Sequence, residues 1–137
     1  MDFRHYWEHT RARLDEELDE WVRRFFRNLP ERQVATVRHI LADGKRLRGC
    51  LACLVNGALG GRLEDAIPRA VAVECIQAAS LIHDDYIDGD TVRRNRAAHW
   101  TIDGPRKAVL LGDMVFATII QRMSEISRDD GMTVAEA

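Results

Sequence analysis

Four carboxylates fall within seven residues at Asp84, Asp85, Asp88 and Asp90, closing an apolar stretch that begins near Glu74. On an α-helix Asp84, Asp85 and Asp88 lie at about 0°, 100° and 40° round the axis, so all three project from one side of roughly one turn. Carboxylates this close repel one another and want a cation between them. Oxygen ligation of this kind suits Mg²⁺, which keeps several waters and bridges protein carboxylates to substrate phosphates. The competing reading is a solvated acidic helix end. Acids are unfavourable at a helix C-terminus, so their place here favours the metal.

Cations sit on either side of this stretch in the sequence. Lys45, Arg46 and Arg48 lie between Gly44 and Gly49. If this segment is helical, Lys45 and Arg48 share a face, and an Arg fork beside a Lys point charge is a receptor for a phosphate or diphosphate. A short solvated basic run would look the same, and the GxxxxGK[ST] spacing of a Walker loop is absent. Arg93, Arg94 and Arg96 follow the acids at once. They either neutralise the cluster or hold a phosphate that the metal bridges. Gln77 precedes Asp84 by seven residues, hence about 20° away and roughly 10 Å along the same face. A buried Gln needs partners, from a neighbouring helix or from a polar ligand. His83, about 100° from Asp84, suits a core or supporting role better than ligation. Asp113 is either paired to a cation or close to the metal-phosphate cavity.

The elements that must carry these groups read as helices. Leu14, Leu18, Trp21/Val22 and Phe25 recur at helical spacing between Phe3 and Phe26. After Pro30 a second helix runs from Glu31 to Leu41 with Val34, Val37 and Leu41 on one side, ended by Asp43-Gly44. An apolar, buried helix follows Gly49, and Gly57, Gly60 and Gly61 form a loop. The central helix is expected from Pro68 to Asp88, apolar nearly all round except at Glu74, as befits the middle of a bundle. Gly89 breaks it. His99 to Pro105 is expected as a loop, the next helix carries Ala108 to Ile120, and Ser127 to Gly131 is expected as a polar turn. Thr133 and Glu136 are spaced to open a last helix as a capping box.

Composition limits the function classes. The 137 residues, 46% hydrophobic and 31% charged, suit one soluble globular domain spanning residues 1–137, and the helical patterns above make it all-α. A net charge of −2 makes no electrostatic case for nucleic acid. No apolar run is long enough to span a bilayer, and no signal-peptide core is present. Cys50 and Cys53 form a CxxC without the βαβ context of a redox motif. With Cys75 they are expected as buried free thiols in a reducing, cytoplasmic compartment.

Four segments in order, Gly44-Lys-Arg-Leu-Arg-Gly49, Leu81-Ile-His-Asp-Asp-Tyr-Ile-Asp88, Arg93-Arg-Asn-Arg-Ala-Ala-His99 and Leu111-Gly-Asp113, resemble the trans-isoprenyl diphosphate synthases (polyprenyl synthetases). The match covers Leu41 to about Ile120. The resemblance implies part of an isoprenoid-synthase helical bundle that condenses isopentenyl diphosphate with an allylic diphosphate. By position, Asp84, Asp85 and Asp88 would be the first aspartate-rich motif, catalytic and binding Mg²⁺. Lys45, Arg48, Gln77 and Arg94 would hold isopentenyl diphosphate, and Arg93 the allylic diphosphate. Many members carry His in place of Gln77. Asn95 stands where Gly is usual, a departure expected to be tolerated.

The family pattern is about twice as long and has a second aspartate-rich motif, which this sequence does not show after Asp113. Three readings follow. The first is a prenyltransferase half or subunit completed by a homo- or hetero-oligomeric partner, or by further sequence, that supplies the second motif. The second is a non-catalytic diphosphate-binding or regulatory subunit. The third is a class I terpene cyclase relative, disfavoured because a cyclase has no use for Lys45, Arg48 and Arg94 around a second diphosphate. In the family, the positions four and five before the first aspartate set the tunnel floor. Ser80 and Ala79 are small, which implies products of C20 or longer, with Ser80 weighted more because it lies about 40° from Asp84.

Overall fold

The computed structural model describes residues 2–42 and 44–137, and it is all-α apart from one short hairpin. Its elements are α1 (Phe3–Phe25), α2 (Glu31–Ala42), α3 (Leu47–Ala58), α4 (Leu63–Asp88), β1 (Val92–Arg93), β2 (Arg96–Ala97), α5 (His99–Asp103), α6 (Pro105–Ile126) and α7 (Arg128–Glu136). Residues 1–74 and 75–137 form two compact units. The helix α4 begins in the first and ends in the second. No helix among the described residues is long and apolar enough to cross a membrane.

In the first unit, α1 packs on α2 and α3. Asp2 caps α1 by accepting from the Arg4 N–H, and Leu14, Leu18, Trp21 and Val22 form its buried stripe. Phe26, just past the helix, is buried where Phe25 is only half-buried. Val37, Ile40 and Leu41 are the buried face of α2. The expected terminator Asp43 lies outside the described residues.

The apolar helix α3 corrects the expectation of a buried helix. It buries only Gly49, Cys50 and Cys53, while Leu47, Leu51, Leu54, Val55 and Leu59 are exposed. Small side chains face inward because the backbones approach closely: a Cβ on Gly49 would lie 2.9 Å from Leu14 Cδ1, 3.1 Å from Glu74 Cγ and 3.2 Å from the Ala70 carbonyl. Arg13 of α1 also reaches Glu64 of α4 at 2.7 Å.

The central helix starts at Leu63, five residues before Pro68. Glu64 and Asp65 suit the positive end of the helix. Pro68 removes one backbone donor inside the helix, and nearby the Arg69 guanidinium donates to the Asp65 carbonyl at 2.6 Å. Burial along α4 follows a stripe: Ala66, Ile67, Ala70, Val71, Ala72, Cys75, Ala79 and Ile82. Val73 is exposed and Ile76 and Leu81 are half-buried, so the helix is not enclosed on every side.

In the second unit, α6 packs on α5 and α7. His99–Asp103 is a short helix, not a loop. The Ser127–Gly131 segment is likewise not a turn. Ser127 caps α7, accepting from the Asp130 N–H at 3.0 Å and donating to the Asp130 carboxylate at 2.6 Å. Ser127 therefore acts as the N-cap six residues before the expected one, and the helix it opens already includes Thr133.

Candidate functional site

The acidic end of α4 is built by a glycine. Gly89 takes φ +72°, and the Asp90 N–H returns to the Asp85 carbonyl at 2.8 Å, the closure of a Schellman motif. This ends the helix at Asp88 and turns the chain into the β1–β2 hairpin, where Val92 pairs with Ala97 and Arg93 with Arg96. Its two loop residues, Arg94 and Asn95, have φ of +50° and +63°, the backbone of a two-residue primed turn. That accounts for Asn95 at a position where glycine is usual, since Asn visits the left-handed region more easily than most residues. Trp100 on α5 fastens the segment, donating to the Asp90 carbonyl at 2.7 Å and packing edge-on against Tyr86 at 5.9 Å.

The three aspartates are not equivalent. Asp84 and Asp88 are exposed, whereas Asp85 is only 4% exposed. Arg93 donates to Asp85 Oδ1 through Nε at 2.9 Å and through Nη2. The Arg93 guanidinium is pushed up, chiefly by this hydrogen bond and then, against its own desolvation, by the charge of Asp85. Arg93 faces Arg96 across the hairpin, a like-charge pairing that is unfavourable unless each has an acid, and Asp85 answers for Arg93. The expectation of three carboxylates together on one side is thereby revised. Two are presented, and the third is engaged by the arginine. Among the described residues no three His, Cys, Asp or Glu side chains converge as a protein cage for a metal. Two exposed carboxylates one turn apart still suit Mg²⁺, which takes one or two carboxylates together with waters and phosphate oxygens.

His83 turns away from the aspartates. Its Nε2 lies 3.0 Å from the Val109 carbonyl and 3.5 Å from Asp113 Oδ1, so Nε2 carries the proton that the carbonyl accepts. The ring sits where a side chain at Gly112 would be, with an added Cβ only 2.3 Å from Nε2. Asp113 is thus the partner of His83 and itself exposed. Gln77 is half-buried, and its side chain makes no hydrogen bond among the described residues. Ser80 is half-buried, while Ala79 is fully buried.

In the first unit, the condition for Lys45 and Arg48 to share a helical face is not met, because Lys45 precedes the helix. The α3 helix begins only at Leu47, and Arg46 precedes it in the left-handed conformation at φ +56°. Lys45 and Arg48 are exposed and make no ion pair among the described residues. Arg46 goes inward instead. It is 4% exposed, donating to Asp15 Oδ1 at 2.8 Å and to the Ala42 carbonyl at 3.2 Å. Glu74, the lone acid in the apolar run, accepts from the Gly49 N–H at 2.7 Å, one of the donors a helix start leaves without an intrahelical acceptor. Sequence reasoning passed over Asp15, Arg46 and Glu74 as site builders. A carboxylate inside an apolar helix was the available signal for Glu74, since burial demands a partner. The three cysteines are free and buried, as expected, and burial first, then the neighbouring Cys53, pushes the Cys50 thiol up to about 11.

The Polyprenyl synthetase family model matches residues 31–137. Among curated relatives, hexaprenyl pyrophosphate synthase of Saccharolobus solfataricus is 30% identical over 98% of this chain and 47% of its own length. The chloroplastic small subunit of a heterodimeric geranylgeranyl pyrophosphate synthase from Arabidopsis thaliana is 31% identical over 97% of this chain and 47% of its own. Among solved structures, geranylgeranyl pyrophosphate synthetase from Geoglobus acetivorans superposes with a TM-score of 0.77 at 30% identity, covering 94% of this chain and 41% of that one. The chain therefore spans about half the length of the relatives it matches. The match to that family over most of the sequence, with the aspartates, hairpin arginines and basic turn on the elements just described, means that the chain belongs to the polyprenyl synthetases, the trans-isoprenyl diphosphate synthase family.

Proposed function

We propose that the chain supplies the first metal- and diphosphate-binding part of a prenyltransferase that condenses isopentenyl diphosphate with an allylic diphosphate. The observation that carries this reading is the exposed Asp84–Asp88 pair, with Asp85 and Arg93 bound to each other beside it. Asp84 and Asp88 would hold Mg²⁺ against the allylic diphosphate, with Asp85 joining when Arg93 moves to a phosphate oxygen. Bound there, Mg²⁺ would offset the charge that grows on the departing pyrophosphate. Lys45, Arg48, Gln77 and Arg94 would hold isopentenyl diphosphate. The exposure of Lys45 and Arg48 and the unbonded side chain of Gln77 favour this assignment.

Condensation also needs a second set of acids and cations and an apolar enclosure that keeps the allylic cation from water. A partner chain or further sequence would provide them, and a homo- or hetero-oligomer is part of the proposal. The relative named as the small subunit of a heterodimeric synthase favours a subunit role, with a diphosphate-binding subunit as the second reading. The family match favours both over a terpene cyclase. Ser80 leaves room for products of C20 or longer. The buried thiols suit a reducing compartment such as the cytoplasm.

Calorimetric titration of the full chain with inorganic pyrophosphate tests the site. Affinity is expected to rise by at least about tenfold with Mg²⁺, because the ion takes ligands from both sides, and Asp84→Ala is expected to abolish the gain. Equal affinity with and without Mg²⁺ would overturn the reading.

A further inference from the structure

We propose that Arg46, Asp15 and Glu74 are positioning residues for the basic turn: a bracket around the buried Arg46 that fixes the start of α3 and so aims Lys45 and Arg48 outward at an anionic ligand. The inference rests on the reading that Lys45 and Arg48 bind a diphosphate, and it assigns a different task to the third cation of the same run.

Arg46 is the middle cation of Lys45-Arg46-Leu47-Arg48, yet only it is buried. Its left-handed backbone, φ +56° and ψ +31°, costs about 1–2 kcal/mol for a residue with a side chain, so something must hold it. Two contacts do so: the Asp15 carboxylate on α1 at 2.8 Å and the Ala42 carbonyl at the end of α2 at 3.2 Å. Asp15 lies in turn 3.8 Å from Arg11. The Arg46 carbonyl accepts from the Cys50 N–H at 2.9 Å, the first turn of α3. The same residue thus ties α1, the end of α2 and the beginning of α3.

Glu74 completes the bracket from α4. Its Oε1 accepts from the Gly49 N–H at 2.7 Å, satisfying a donor at the third position of α3 and placing a negative charge at the positive helix end. Gly49 eases this approach, since an added Cβ would crowd Leu14, Glu74 and the Ala70 carbonyl at once. With α3 gripped on both sides of Arg48, neither Lys45 nor Arg48 is left for internal pairing among the described residues. An exposed cation pair on a rigid turn binds a diphosphate without first ordering its backbone, whereas an unbracketed turn would have to be ordered on binding.

The test is a set of variants in the full chain, read by calorimetry with isopentenyl diphosphate and by thermal melting. Arg46→Met keeps the apolar stem and removes the fork. It is expected to weaken binding by about tenfold, roughly the loss of one charge-assisted interaction passed on to the turn. Glu74→Gln keeps an acceptor for the Gly49 N–H and is expected to bind nearly as the parent, while Glu74→Ala weakens binding. A general loss of stability would lower the melting temperature without singling out this ligand. A second arm therefore combines Arg46→Met with Arg48→Ala. If Arg46 acts through Arg48, the two losses are less than additive, because residues that share a partner couple. Additive losses, or unchanged affinity in folded Arg46→Met, would overturn the proposal. Should Arg46→Met not fold, Asp15→Asn replaces it with the same expectation, since it weakens the ion pair and keeps an acceptor. If Lys45→Ala and Arg48→Ala themselves leave affinity unchanged, it is the underlying diphosphate reading that fails. If they weaken it and Arg46→Met does not, only the bracket fails.

Discussion

Replacing Arg93 by Met should destabilise the second unit more than replacing the aspartate it binds. The Asp85 side chain is 6% exposed and that of Arg93 37%. Removing the arginine strands a buried carboxylate near the negative end of α4, where the helix dipole adds to the penalty. Breaking a fully buried pair in this way costs about 3–5 kcal/mol. Arg93 is partly solvated, so water can reach part of the gap, and the expected loss falls to about 2–3 kcal/mol. Asp85→Asn leaves an arginine that water can hydrate and an amide oxygen that still accepts, at about 1 kcal/mol. The double variant should be less destabilised than the sum of the two, with a coupling of about 1–2 kcal/mol. Amide exchange of Ala98 is the suitable assay, because its N–H donates to the Thr91 carbonyl at 2.9 Å and reports on opening of the hairpin. Equal losses for the two single variants, or additivity within about 0.3–0.5 kcal/mol, would refute the claim that a buried charge governs this corner.

Gly112→Ala should lower stability by about 1–3 kcal/mol, the usual range for overpacking, because the new methyl would overlap the His83 ring at 2.3 Å; thermal melting decides, and an unchanged midpoint would show that the ring moves aside freely. The Arg13–Glu64 contact gives a pH dependence. Hydrogen bonding to Arg13, then its charge, holds the Glu64 carboxyl below its ordinary 4.5, so this contribution is present above that value and is lost as pH falls through the lower folded one. Arg13→Met should therefore narrow its stability gap to the parent as pH drops below about 4.5, and a gap that widens there would contradict the sign.

The helices were legible because their apolar residues repeat at the helical period and their ends carry standard signals. Leu14, Leu18 and Trp21 mark the core stripe of α1, and Gly89 marks the end of α4. Errors arose where a local signal was given the wrong rank. Pro68 reads as a helix start, yet the packing of Ala66 and Ile67 carries the helix through it. Ser127 and Asp130 read as turn residues, though their spacing is that of a cap. Apolarity alone also overstated the burial of α3, because it cannot tell which side of a helix has neighbours. The close approach at Gly49 selects the small side chains for the inside and leaves the leucines outside.

Site residues were legible by type and spacing, but their division of labour was not. Charge at Asp84, Asp85 and Asp88 looks identical in sequence, and so does charge at Lys45, Arg46 and Arg48. What separates them is a backbone angle or a neighbour many residues away. The positive φ of Arg46 turns its side chain toward Asp15, thirty-one positions earlier, and the hairpin brings Arg93 back onto Asp85. In each cluster one charge is buried and paired with a partner that stays partly exposed, and two remain exposed. Such a half-buried ion pair adds little net stability compared with apolar packing. Its physical use here is to fix a direction, leaving the neighbouring charges aimed outward with their partners still to be supplied by a ligand.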